Sequence, residues 1–191
     1  MVFSIISRLV NGVKGGITAS LQGVADISSS IVNVTKNVTV NTLKEFGEFA
    51  KKSLDVPASI VKGALLGVGE IGSSVVRAVR GVVHGVVEGL MENKVDQNTA
   101  VTGAVSQALQ SAKELGVDLG ETAVESVTGA IGGVKQVGGD TVEALRVAVT
   151  TALQTAKDIG KDAYDTVSES LKSGVDGAEQ IVASFTEKND N

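Results

Sequence analysis

The residue types that carry most enzyme chemistry are scarce in this chain and are not grouped. The 191 residues include no cysteine and a single histidine, His84. A catalytic or metal-bound histidine needs a second suitable group nearby, and none lies in the same segment. His84 stands one helical turn from Arg80 and from Glu88, which predicts that it belongs to a solvated charge stripe. A pH-sensing role is the alternative, because imidazole titrates near physiological pH.

Four acidic residues form the one regular set of candidate metal ligands, and they are Asp158, Asp162, Asp165 and Glu169. Their gaps of four, three and four residues place them on one helical face, where they would be able to collect divalent cations. Lys157, Lys161 and Lys172 alternate with them, which favours a solvated face with local ion pairs. The sequence therefore predicts no metal site and no cofactor.

Nucleophile and phosphate-binding motifs are missing as well. The chain has no G-x-S-x-G sequence and no glycine loop between a strand and a helix. Glycine strings such as Gly67-Val-Gly69 fall inside a helical pattern, which argues against a dinucleotide fingerprint. We therefore expect that the protein is not an enzyme.

Composition points to helices that need a partner surface. Aromatic residues are 3% of the chain, and the apolar 42% is mostly Val, Ala, Leu and Ile interleaved with 23 glycines. Valine and glycine are mediocre helix formers, so such helices depend on packing or on an apolar surface. Residues 98–191 carry seven Lys/Arg against fourteen Asp/Glu, which argues against nucleic acid as a partner. No apolar run is long enough to predict a transmembrane helix, and the N-terminus does not resemble a secretory signal.

The chain repeats itself with a period of 44 residues. Ala104–Gly133 aligns without gaps on Ala148–Gly177, with thirteen of thirty positions identical. Because 11 residues make about three helical turns, a period of four times 11 keeps apolar side chains on one helical face. The repeat predicts an all-α protein of long amphipathic helices, arranged as hairpins or as a bundle. We interpret it as one continuous amphipathic face, with four units filling residues 16–191.

Apolar periodicity and turn signals divide the chain into five segments. Residues 1–55 are predicted to be an amphipathic helical segment, and 56–97 an apolar helix rich in Gly and Val. Residues 98–139 form the third repeat, 140–184 a fourth, acidic amphipathic helix, and 185–191 a polar tail. The β-branched run at 27–40 also suits a strand, but apolar gaps of three and four favour a helix there.

Three sets of residues are candidates for contact surfaces. The candidates for a surface anchor are Phe3, Ile5, Ile6, Leu9, Val10 and Val13, which lie beside Arg8 and Lys14. The candidates for the main apolar contact are Leu65, Val68, Val75, Val79, Val82, Val86 and Leu90. Gly81, Gly85 and Gly89 are one turn apart, and this spacing predicts a close helix–helix contact.

The string GVVHGVVE at 81–88 resembles the GVVHGVA repeat of synucleins. TAVTGAVSQA and ESVTGAIGGVKQVGG have a similar composition, so the resemblance covers roughly residues 60–140. Synucleins, perilipins and plant dehydration proteins share 11-residue amphipathic repeats, and the resemblance implies an extended helix that binds a lipid surface without a catalytic site. The synuclein core repeat KTKEGV and its many interfacial lysines are absent here. Bacterial granule-coat phasins are similar only in being Ala-rich, helical and enzymatically inert.

These patterns predict a non-enzymatic helical protein that coats or scaffolds a lipid membrane, droplet or granule. Its expected partners are that surface and further copies of itself, in the cytoplasm and peripheral to a membrane or inclusion. A second hypothesis is a self-assembling structural bundle or polymer, in which the apolar faces pair with one another. The third is a stress protectant of the dehydration-protein type, which a mean hydropathy of +0.22 disfavours.

Overall fold

The computed structural model describes residues 2–47 and 55–189, and it is helical apart from short turns throughout that range. The helices of these residues are α1 Val2–Leu21, α2 Ile27–Phe46, α3 Asp55–Glu70, α4 Val75–Glu92, α5 Gln97–Leu115, α6 Leu119–Gln136, α7 Thr141–Ile159, α8 Lys161–Gly174 and α9 Ala178–Asn189. The all-α prediction is confirmed. The β-branched run at 27–40 lies within α2, so the helical period prevailed over strand propensity there.

Aspartate caps and glycine turns set the ends of the central helices. The side chains of Asp96, Asp118 and Asp140 accept hydrogen bonds from backbone N–H groups in the first turns of α5, α6 and α7. These groups would otherwise lack partners at a helix start. Gly116 ends α5 with a φ of +66°, and Gly72 follows α3 with a φ of +75°. Glycine takes up this left-handed backbone without a steric penalty, so the chain reverses there.

The helices form a stack of hairpins in two layers. Consecutive helices pair as α1–α2, α3–α4, α5–α6 and α7–α8, and each helix also packs on its counterpart in the next hairpin. One layer therefore contains α1, α3, α5, α7 and α9, and the other contains α2, α4, α6 and α8. Successive contacts along α1 and α3 increase together in residue number, so helices within a layer run in parallel.

The prediction of long single helices is wrong. The segment 56–97 divides at the turn 71–74, and the segment 98–139 divides at 116–118. The segment 140–184 divides at Gly160 and again at 175–177. Folding back lets each hairpin bury its apolar face against the next one, which one extended helix cannot do in water. The repeated unit is thus a helical hairpin, and the interpretation as one continuous face is wrong.

The four-unit repeat also needs correction at its first unit. Gln97–Leu115 and Thr141–Ile159 are offset by 44 residues along their whole length, and so are Val75–Glu92 and Leu119–Gln136. In contrast, α2 begins 48 residues before α4. Eight residues separate α2 from α3, whereas four separate α4 from α5 and α6 from α7. The first hairpin therefore aligns with the second at an offset of 48.

Candidate functional site

The closest contacts between neighbouring hairpins lie at glycines. A Cβ atom built on Gly85 would lie 2.5 Å from the carbonyl oxygen of Val32 and 2.9 Å from the Cβ of Thr35. One built on Gly89 would lie 3.0 Å from the Cβ of Thr39, and one on Gly81 would collide with Ile31. Their missing side chains let α2 and α4 approach at backbone distance. This is the helix–helix contact that the spacing predicted.

The same contact recurs along the stack, in both layers. A Cβ on Gly63 of α3 would lie 2.6 Å from the carbonyl oxygen of Val10 in α1. A Cβ on Gly133 of α6 would lie 2.7 Å from that of His84 in α4. We call the glycine face that receives the preceding helix a glycine notch. Each notch fixes how far one hairpin sits from the next, because any side chain there would meet backbone.

Ion pairs cross the same interfaces at equivalent positions. Lys14 Nζ lies 2.5 Å from Glu70 Oε1, and Lys62 Nζ lies 2.9 Å from Glu114 Oε2. The two lysines are 48 residues apart and the two glutamates 44, which matches the offsets of the hairpins. Because these pairs are partly exposed, each contributes at most about 1 kcal/mol. Their regular placement favours one register of the stack over a slip by one turn.

A buried carboxylate joins α4 to α2. The side chain of Glu88 is 7% exposed, and Lys36 Nζ donates to its Oε1 at 2.7 Å and to Glu92 Oε1 at 2.7 Å. Hydrogen bonding to Glu88, then to Glu92, raises the pKa of Lys36. A charge this buried is stable only with a partner, so Lys36 fixes the first hairpin on the second.

His84 lies beside this carboxylate and against the third hairpin. Its Nε2 is 3.6 Å from Glu88 Oε2, and a Cβ on Gly132 of α6 would lie 2.8 Å from its Nδ1. Burial lowers the pKa of His84, and the nearby Glu88 charge opposes that shift. The solvated stripe predicted for this residue is therefore wrong, since His84 is half-buried between helices.

The residues predicted to form the main apolar contact belong to the core. Leu65 is 1% exposed and Val75 is half-buried at the start of α4, while the others are fully enclosed, namely Val68, Val79, Val82, Val86 and Leu90. The prediction that they form an outward apolar face is wrong for the folded chain. The wheel that suggested it treated α3 and α4 as one helix.

The anchor candidates do not share one face. Leu9 and Val13 are buried against the rest of the protein, Ile6 and Val10 are half-buried, and Ile5 is 40% exposed. The side chain of Phe3 lies outside the described residues. The acidic ladder is exposed and is divided between α7 and α8. No group of three metal-ligating side chains occurs within 2–47 and 55–189.

The inter-hairpin ion pairs are the feature that sequence reasoning missed. Their partners are 52 to 56 residues apart, so nothing local connects them. A signal was present in the recurrence of Lys14 as Lys62 and of Glu70 as Glu114. The recurrence was hidden because the first hairpin follows a 48-residue offset.

Two shallow grooves remain on the surface of the stack. One of about 410 Å³ lies between α1 and α2, and one of about 510 Å³ lies between α7 and α9. Arg146 borders the second groove, but its guanidinium is already paired with Glu143. None of the helices in the described part of the chain has the length and apolarity to span a membrane. The chain matches no protein-family model and no curated protein.

Proposed function

We propose that this chain is a non-enzymatic structural protein, an array of helical hairpins whose apolar faces bury one another. The observation that carries the proposal is the glycine notch, which brings backbone against backbone at the first-to-second and second-to-third hairpin interfaces. Such notches specify one neighbour at one distance, so they suit assembly better than the accommodation of a ligand.

The polar groups support the same role. Lys14, Lys36 and Lys62 each pair with a glutamate on the next hairpin. His84 and Glu88 are engaged between helices, so the side chains best suited to acid–base chemistry serve packing. Neither surface groove collects a nucleophile together with a base, which a hydrolytic or transferase site would need.

The test is the helicity of the full chain in buffer without lipid, at two protein concentrations. A self-sufficient array gives a strongly helical far-UV circular dichroism spectrum and a single cooperative thermal transition. Adding anionic vesicles then leaves the spectrum unchanged. A weakly helical spectrum that becomes helical only with vesicles contradicts the array and selects a surface coat.

A peripheral coat on a lipid or granule surface is the second candidate, and one observation favours it. Ile5 is 40% exposed on α1, with half-buried Ile6 and Val10 nearby and the exposed cation Arg8 beside them. An apolar strip flanked by a cation is typical of interfacial helices. This candidate places the first hairpin on the surface and leaves the other hairpins stacked.

Vesicle flotation tests the second candidate. Ile5→Glu then weakens binding to anionic vesicles at least severalfold, because a charge enters the apolar strip. Val142→Glu is the matched control, since Val142 is a 77% exposed apolar residue at the start of α7. Equal binding by the wild-type chain and both variants contradicts a coat anchored by α1.

A further inference from the structure

Contacts between hairpins define which positions are equivalent along the α2–α4–α6 layer. Gly85 of α4 faces the carbonyl oxygen of Val32, and Gly129 of α6 faces that of Arg80. Val32 and Arg80 are 48 residues apart, while Gly85 and Gly129 are 44 apart. Gly89 and Gly133 repeat the relation against Lys36 and His84. The offsets of the helices and of their contacts therefore agree.

The same offset places asparagines at the notch positions of α2. Asn33, Asn37 and Asn41 lie 48 residues before Gly81, Gly85 and Gly89. Their spacing of four residues puts them on one helical face. All three are exposed, and no helix among the described residues covers them. The first hairpin thus has polar side chains where the second hairpin has its glycine notch.

An asparagine cannot take the place of glycine at such an interface. A Cβ alone would lie only 2.5 Å from the neighbouring backbone at Gly85, and the amide group extends further. Burying three amides without partners also costs free energy, at about 1–3 kcal/mol each. The asparagine face therefore opposes the close helix approach that joins every other pair in this layer.

We propose that Asn33, Asn37 and Asn41 cap the array, so that this end of the stack does not pair with a second copy of the chain. Terminal repeats of stacked-helix proteins need a polar outer face for this purpose. At the other end, α9 covers α7, and α8 presents the exposed charges Asp165 and Glu169. The inference rests on the proposed array and specifies what limits its length.

The test compares the full-length chain with two triple variants by light scattering across a wide range of protein concentrations. Asn33→Gly/Asn37→Gly/Asn41→Gly restores the notch without adding apolar side chains. Asn33→Ala/Asn37→Ala/Asn41→Ala keeps the face small and raises the helix propensity of α2, so it also covers a failure of the glycine variant to fold. The matched control is Gln110→Ala/Gln136→Ala, at exposed positions away from the asparagine face.

The wild type and the glutamine control are expected to keep the mass of one chain. Both asparagine variants are expected to approach the mass of two chains, joined notch to notch in a symmetric dimer. Slower hydrogen exchange of α2 in the dimer locates the contact. Two folded asparagine variants that stay monomeric at every concentration overturn the inference, as does a wild-type dimer that buries α2. Low helicity of the wild type in buffer is a separate result, because it contradicts the array itself.

Discussion

Single glycines have opposite roles in this protein, depending on what lies across from them. Gly85 meets the backbone of α2, whereas Gly12 has no atom within 4 Å of where its Cβ would be. In a helix, alanine is favoured over glycine by about 0.5–1 kcal/mol when nothing obstructs the methyl group. The sign of a glycine-to-alanine change therefore reports the packing at that position.

We expect Gly85→Ala to lower the free energy of unfolding by about 1–3 kcal/mol, since α2 must move away from its methyl group. Gly12→Ala is the matched change on α1, and it should be neutral or stabilising by up to about 1 kcal/mol. Urea unfolding followed by circular dichroism measures both. Equal stability of the two variants would show that the close approach at Gly85 is not required.

His84 makes stability depend on pH at the interface of α4 with its neighbours. The groups facing it are Glu88 on its own helix, Lys36 of α2 through that carboxylate, and the uncharged Gly132 of α6. Burial lowers the pKa of His84 in the folded state below its ordinary value of 6.5. Above that value both states are neutral there, so His84 contributes no pH dependence.

As the pH falls through 6.5, the unfolded chain binds the proton first, and the free energy of unfolding falls until the folded pKa is passed. The wild type should therefore lose more stability than His84→Gln between about pH 7.5 and pH 5. Urea unfolding of both proteins at the two pH values measures the difference, and carboxylate effects common to both cancel. Parallel pH profiles would contradict a buried neutral His84.

At the scale of the helices, the sequence allowed helix type and several caps to be predicted, but not the turns. Apolar gaps of three and four predicted helix throughout, and the break near Pro57 lies close to the start of α3. Gly72 and Gly63 illustrate the difficulty, because both are glycines in one apolar pattern. Gly72 reverses the chain, whereas Gly63 stays helical against α1. Only the neighbouring hairpin distinguishes them, so local periodicity could not.

The turn between α5 and α6 depends on its aspartate cap. Asp118 accepts a hydrogen bond from the backbone N–H of Glu121 at 2.6 Å. Asp118→Ala removes that acceptor and should cost about 0.5–2 kcal/mol of stability, whereas Asp118→Ser keeps most of it. Thermal unfolding of the two variants beside the wild type gives the comparison. An alanine variant as stable as the serine variant would mean that the turn is held by Gly116 alone.

At the scale of the whole molecule, each hairpin contacts only its immediate neighbours. Stability in such an array is a sum of unit and interface contributions, so damage at one end stays local. Ile17 of α1 is fully buried against Gly67, and Leu153 of α7 is fully buried three hairpins away. Replacing either by alanine costs about 2–5 kcal/mol.

Native-state hydrogen exchange distinguishes a linear array from one cooperative core. Ile17→Ala should speed exchange in α1 and α2 while leaving α7–α9 as in the wild type, because two hairpins stand between them. Leu153→Ala should produce the reverse pattern, so each variant is the control for the other. Uniformly faster exchange across the chain in both variants would instead mean that the four hairpins unfold as one unit. In that case the glycine notches transmit stability along the whole stack.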